Sequence, residues 1–143
     1  MRKAHITALF FLAFSATGIS QTVYQKDKWG AKLLYFQENV VRMHDRWGEK
    51  VLWYDSTHNT VRLKDRWGEQ FLYIDGYTVR QTNRWGAPLL YFDGNTIRQK
   101  DRWGAPLYYL DGNTLRVKDR WGAAVYYFDF TPLRWQIACV VLM

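Results

Sequence analysis

The dipeptide Trp-Gly occurs six times, with its tryptophan at positions 29, 47, 67, 85, 103 and 121, so the spacings are 18, 20, 18, 18 and 18 residues. A short unit repeated at a near-constant period must use one local geometry throughout and bury its apolar side chains against its neighbours. Aligned on that Trp, the columns agree. Asp27, Asp45, Asp65, Asn83, Asp101 and Asp119 stand two residues before it, followed by Lys28 and then Arg in five copies. Five residues beyond each Gly stands an aromatic residue: Tyr35, Trp53, Tyr73, Tyr91, Tyr109 and Tyr127.

Each unit reads as two strands and two turns. Residues 107–110 (LYYL) form an apolar, aromatic run, and residues 114–118 (TLRVK) alternate polar with apolar. Neither has the 3.6-residue period of a helix. Asp111-Gly112-Asn113-Thr114 supplies turn residues between them. Asp101-Arg102-Trp103-Gly104 has Asp first and Gly fourth, the preference of a type I turn. The same structural turn role falls to Asp45, Trp47 and Gly48, to Asp65, Trp67 and Gly68, to Trp85 and Gly86, and to Asp119, Trp121 and Gly122. In this reading Asp caps the turn, Gly permits positive φ, Trp packs inward or between units, and Arg faces out.

Register follows from loop length. The DGNT loop sets Leu110 opposite Leu115, Tyr109 opposite Arg116 and Tyr108 opposite Val117, and likewise Phe92 opposite Ile97 and Tyr91 opposite Arg98. The long second spacing comes from DSTHNT at 55–60. Its two extra residues preserve the face of every side chain, where one would invert them all, so Tyr54 meets Val61 and Trp53 meets Arg62. In the degenerate last copy, DFTP (129–132) is expected to set Phe128 opposite Leu133 and Tyr127 opposite Arg134. One sheet face, with pairs like Phe92/Ile97, is then core. The other, with pairs like Tyr91/Arg98, is partly wet, and Arg over Tyr makes a cation–π pair.

One unit buries too little to stand alone, so the fold class is all-β, with six hairpin repeats of about 18 residues sharing a core. A closed ring is preferred over an open hairpin solenoid because it leaves fewer unpaired sheet edges. The stretch DGNTIRQKDRWGAPLYYLDGNTLRVKDRWGAAVYYFD resembles the β-flower proteins, small exported bacterial proteins with four or five hairpin petals. The shared elements are D-R-[aromatic]-G, the apolar run and the D-G turn, over roughly residues 22–134. Here Trp stands where Tyr is commoner, and there are six copies. The resemblance implies petals about a pseudo-symmetry axis and no enzymatic activity. WG-repeat proteins and choline-binding cell-wall repeats are looser analogies of chemistry.

The chain's two ends read differently from the repeats. Arg2 and Lys3, the apolar run 6–14 and the small residues of 15–20 have the layout of a secretory signal peptide over residues 1–20, cleaved near Gly18 or Ser20. Export is therefore expected, to a periplasmic or extracellular address. Residues 21–136 form the repeat domain. The apolar tail 137–143 (IACVVLM) is too short to span a membrane and is expected to add a strand. Cys139 is alone, which excludes a disulfide framework and a CxxC site, and is expected to be buried.

Function is narrowed mainly by exclusion. The carboxylates recur in one column of every copy, which suits turn capping better than acid–base catalysis. His44 and His58 have no metal-ligand partners at recognisable spacing, and no cofactor motif is present. Nucleic acid is disfavoured despite a net charge of +7, because acidic groups alternate with basic ones and export is expected. A glycan or cell-envelope component suits the aromatic face, through Trp53, Tyr73, Tyr91 and Tyr109 with Arg62, Arg80, Arg98 and Arg116, since aromatic rings stack on sugars or cations. The alternative is a structural or adhesion scaffold with a protein partner.

Overall fold

The computed structural model describes residues 20–143; residues 1–19, and with them nearly all of the expected signal peptide, lie outside the description. Twelve strands follow one another as an antiparallel meander: β1 (Thr22–Gln25), β2 (Lys32–Gln37), β3 (Val40–Met43), β4 (Lys50–Asp55), β5 (Thr60–Leu63), β6 (Gln70–Asp75), β7 (Thr78–Gln81), β8 (Pro88–Asp93), β9 (Thr96–Gln99), β10 (Pro106–Asp111), β11 (Thr114–Val117) and β12 (Ala124–Phe128). Each pairs with its chain neighbours, and β1 pairs with β12, closing a barrel. The expected ring forms, and the open solenoid does not.

The register expected from the loops holds in five covalent hairpins. Tyr109 faces Arg116 and Leu110 faces Leu115; Tyr91 faces Arg98; Trp53 faces Arg62 across the longer loop. Alternation then sends Phe36, Leu52, Leu72, Leu90, Phe92, Ile97 and Leu115 into a buried core. Between hairpins the ladder slips by one residue, for example between Val41 and Arg42 opposite Leu52 and Lys50. Such a β-bulge lets two successive residues lean to one side, so Val51 packs against the core beside Leu52, as Phe71 does beside Leu72.

The sixth hairpin is split between the chain ends, which corrects the pairing expected for DFTP. Phe128 faces Val23 and Tyr127 faces Tyr24, so β1 supplies the outgoing strand that the last repeat lacks. Thr22 takes the position of Thr114, and Tyr24 that of Arg116. The Asp129 carboxylate accepts the Thr22 N–H at 2.8 Å and the Asp129 N–H donates to Thr22 O at 3.1 Å, fastening the seam.

The tail is a helix, α1 (Arg134–Leu142), and not the expected extra strand. Closure leaves no free edge for a strand to join. A barrel of more than about eight strands also has a lumen too wide for wall side chains alone to fill. Trp135, Ile137, Ala138, Cys139 and Val140 are all buried and join the wall residues in one core. A helix apolar on every face belongs in an interior, and here it plugs the barrel. Phe130 turns the chain inward against Phe36 and Phe128, and Trp135 meets Phe36 edge-on and stacks on Tyr54 at 4.4 Å. Buried Gln136 accepts the Leu133 N–H at 2.8 Å, which satisfies one donor at the helix start. Burial on all sides pushes the Cys139 thiol pKa well above its ordinary value.

The meander puts turns of one kind at each rim. The D-G loops, the seam and the start of α1 share one rim; all six Trp-Gly turns form the other. No helix among the described residues is long and apolar enough to cross a membrane.

Candidate functional site

The Trp-Gly turns repeat one hydrogen-bond pattern. In the fifth copy, Lys100 takes a left-handed φ of 70° and donates its N–H to Leu89 O of the preceding hairpin at 2.9 Å. The Asp101 N–H returns to Gln99 O at 2.8 Å, and the Gly104 N–H closes on Asp101 O at 2.9 Å. The Asp101 carboxylate accepts the Trp103 N–H at 2.9 Å. Asn83 does the same for Trp85 with its amide oxygen, which is why Asn replaces Asp there without loss. Lys26, His44, Lys64, Thr82 and Lys118 share the left-handed backbone with Lys100, at a cost of roughly 1 kcal/mol or more each for a residue with a Cβ.

The glycine of each turn has a different reason from the one expected. It is not needed for positive φ; a Cβ on Gly104 would lie 1.6 Å from Gln99 O, a backbone atom that cannot swing aside. Positive φ belongs instead to Gly76, Gly94 and Gly112 of the D-G loops, at 61–63°.

The tryptophans also depart from expectation. They do not pack inward or between units: Trp29, Trp47, Trp67, Trp85, Trp103 and Trp121 are 80–83% exposed. The carboxylate-anchored turn fixes the backbone so that each indole projects from the rim. The preceding cation then covers one indole face, with guanidinium carbons 4.7–4.9 Å from the ring centres of Trp47, Trp67, Trp85, Trp103 and Trp121, and Lys28 at 5.2 Å from Trp29. These are the cation–π pairs of the molecule's repeat, within the turn and not across strands.

The wall residues occupy the outer face as expected. Trp53, Tyr73, Tyr91 and Tyr109 are half-buried there, opposite Arg62, Arg80, Arg98 and Arg116. Among the described residues none of these pairs forms a ring-over-guanidinium contact. The guanidiniums hold turns instead. Arg98 donates from Nη1 to Gly104 O at 3.2 Å and from Nε to Asp93 Oδ2 at 3.0 Å, tying both turns of its unit. Arg80 and Arg116 repeat both bonds, while Arg62, among the described residues, reaches Gly68 O alone. In that unit Asp55 binds His58 at 2.8 Å, and this hydrogen bond, ahead of other effects, holds the Asp55 carboxyl below its usual range.

Charge divides between the rims. The Trp-Gly segments 26–32, 44–50, 64–70, 82–88, 100–106 and 118–124 carry twelve Lys or Arg against seven Asp or Glu. The opposite rim carries Glu38, Asp55, Asp75, Asp93, Asp111 and Asp129 against a single Arg134. Beside α1 it opens into a cleft of about 530 Å³, lined among others by Tyr54, Ile74, Leu133 and Trp135. No group of three or more His, Cys, Asp or Glu side chains is placed to hold a metal ion among the described residues. No family model, curated protein or solved structure matches the chain.

Proposed function

We propose that this chain is an exported, non-enzymatic binding module that holds a cell-envelope or extracellular glycan on its Trp-Gly rim. The observation that carries the reading is the ring of six indoles, each 80–83% exposed and each pinned by a carboxylate- or amide-anchored turn. Exposed apolar groups on this scale cost a protein solubility and mark interaction surfaces. A flat ring with one free face is a stacking platform for a sugar, and its fixed backbone lowers the ordering cost of binding. Export is supported by the basic and apolar layout of residues 1–20. The wall Tyr/Trp–Arg pairs contribute less, because their guanidiniums already serve the turns.

A panel of immobilised polysaccharides tests this with protein lacking residues 1–20. Trp67→Ala, Trp85→Ala and Trp103→Ala combined should abolish retention on whichever polysaccharide binds, while Tyr91→Phe with Arg98→Lys retains it. Unchanged binding by the triple variant would refute the rim as the site. The scaffold reading is favoured by one observation, the opposite charge of the two rims, one carboxylate per hairpin facing one turn cation per hairpin. Salt-sensitive head-to-tail assembly in sedimentation velocity, with no glycan retained, would establish it instead.

A further inference from the structure

Five guanidiniums on the rim have no assigned partner. Arg46, Arg66, Arg84, Arg102 and Arg120 lie over their indoles, yet among the described residues none donates a side-chain hydrogen bond or enters an ion pair. The contrast with the wall arginines is chemical as well as positional. On the wall each guanidinium is spent on a carbonyl, a carboxylate or an amide oxygen; on the rim each lies over its indole and is exposed. A planar guanidinium whose donors are uncommitted can take a carboxylate bidentately, and its contact with the indole already restricts the side chain before binding.

Resting on the glycan reading, we propose that the ligand is an acidic polysaccharide, in which sugar rings stack on the free indole faces and carboxylates elsewhere along the polymer are taken by the rim arginines. A neutral glycan pressed onto this rim would strip water from the guanidinium edges without replacing those hydrogen bonds, which is costly. The charge balance points the same way, since twelve basic groups face seven acidic ones on this rim and the far rim is acidic. The far rim would turn the barrel away from a polyanion, so that it meets the polymer end-on.

Charge spacing separates this ligand from a nucleic acid. Neighbouring turns are two strands apart, about 10–12 Å along a tilted rim. A nucleic-acid strand carries a charge every 3.4 Å or so, about three for each turn, and those that fall between the cations would meet Asp27, Asp45, Asp65, Asp101 and Asp119. A polymer with one carboxylate per sugar places fewer anions against those carboxylates and lets several turns engage together.

The test uses polygalacturonate, neutral β-galactan and single-stranded poly(dT) as probes, measured by calorimetry on the protein without residues 1–20. Polygalacturonate should bind at least about tenfold more tightly than galactan, and added salt should weaken it. Arg66→Gln, Arg84→Gln and Arg102→Gln combined should lose about tenfold or more for polygalacturonate, without weakening galactan binding or changing the circular dichroism spectrum. Equal affinity for galactan, or no effect of the arginine changes, overturns the acidic-ligand inference and leaves the glycan reading standing. Tighter binding of poly(dT) than of polygalacturonate overturns the inference in favour of nucleic acid. Failure of both polysaccharides to bind at any salt removes the inference and the glycan reading together.

Discussion

Gly104 and Trp103 are adjacent, and the structure assigns them opposite duties. In Gly104→Ala the new Cβ would stand 1.6 Å from Gln99 O and 2.7 Å from its carbonyl carbon, where ordinary contact begins near 3.4 Å. Both are backbone atoms, so relief requires the turn to open. The bonds lost are Gly104 N–H to Asp101 O, Gln99 N–H to Ala105 O and Arg98 Nη1 to Gly104 O. At about 0.5–1.5 kcal/mol net for each, the loss is about 1.5–4.5 kcal/mol. For a domain of this size that is a fall of roughly 5–20 °C in Tm. Trp103→Ala removes a side chain that is 81% exposed and forfeits mainly its contact with Arg102, about 0.5–1 kcal/mol, so Tm should fall by only a few degrees. Thermal unfolding followed by far-ultraviolet circular dichroism distinguishes the two. If Trp103→Ala destabilises as much as Gly104→Ala, the indole is structural and the division of labour is wrong. If Gly104→Ala melts within about 2 °C of the parent, the close approach does not exist.

Three further outcomes follow from the plug and the loops. Ile137→Ala should cost about 2–5 kcal/mol, as for a large aliphatic residue in a core, because Ile137 is 4% exposed inside the barrel; a denaturant midpoint equal to the parent's would place the helix outside. The Cys139 thiol, buried and raised in pKa by that burial, should react with a disulfide reagent at pH 8 only as fast as the barrel unfolds, and rapid reaction of the native protein would show that the plug is loose. His58→Ala should raise the Asp55 pKa toward 3.8, read by carboxyl carbon NMR, because the His58 hydrogen bond is the main cause of its depression. The folded value lies below the unfolded one, so Asp55 contributes stability above about pH 3.8 that is lost as pH falls through the folded value; the variant should show a smaller acid loss.

Hairpin register was readable from sequence because side-chain parity along a strand leaves only two choices, and loops of two and four residues between paired positions give the same one. Leu110 opposite Leu115 and Trp53 opposite Arg62 both follow from that. The seam was not readable locally: Phe128 has its partner Val23 at the far end of the chain, and the DFTP segment beside it carries turn-like residues that suggest a nearer one. The helix was hidden for a related reason. A helix buried on every face shows no polar–apolar period, and its Ile137, Val140 and Val141 favour strands when read alone. Only the lumen of a closed barrel explains it. For the rim, hydrophobicity argues for packing the tryptophans inward; the Asp carboxylate and the glycine's close approach to the preceding strand set the backbone against this. The wall arginines sit where parity puts them, but their donors go to Gly carbonyls and to Asp side chains, contacts that pairing rules do not reveal.

The central claim is that binding occurs on the Trp-Gly rim. It is most directly tested by labelling the eight tryptophans with 5-fluorotryptophan, assigning the fluorine resonances by single substitution and titrating with polygalacturonate. Resonances of the rim tryptophans should shift, with Trp135 inside the barrel and Trp53 on the wall unmoved. Shifts confined to Trp53, with the rim resonances unmoved at saturation, would contradict the claim and return the site to the wall.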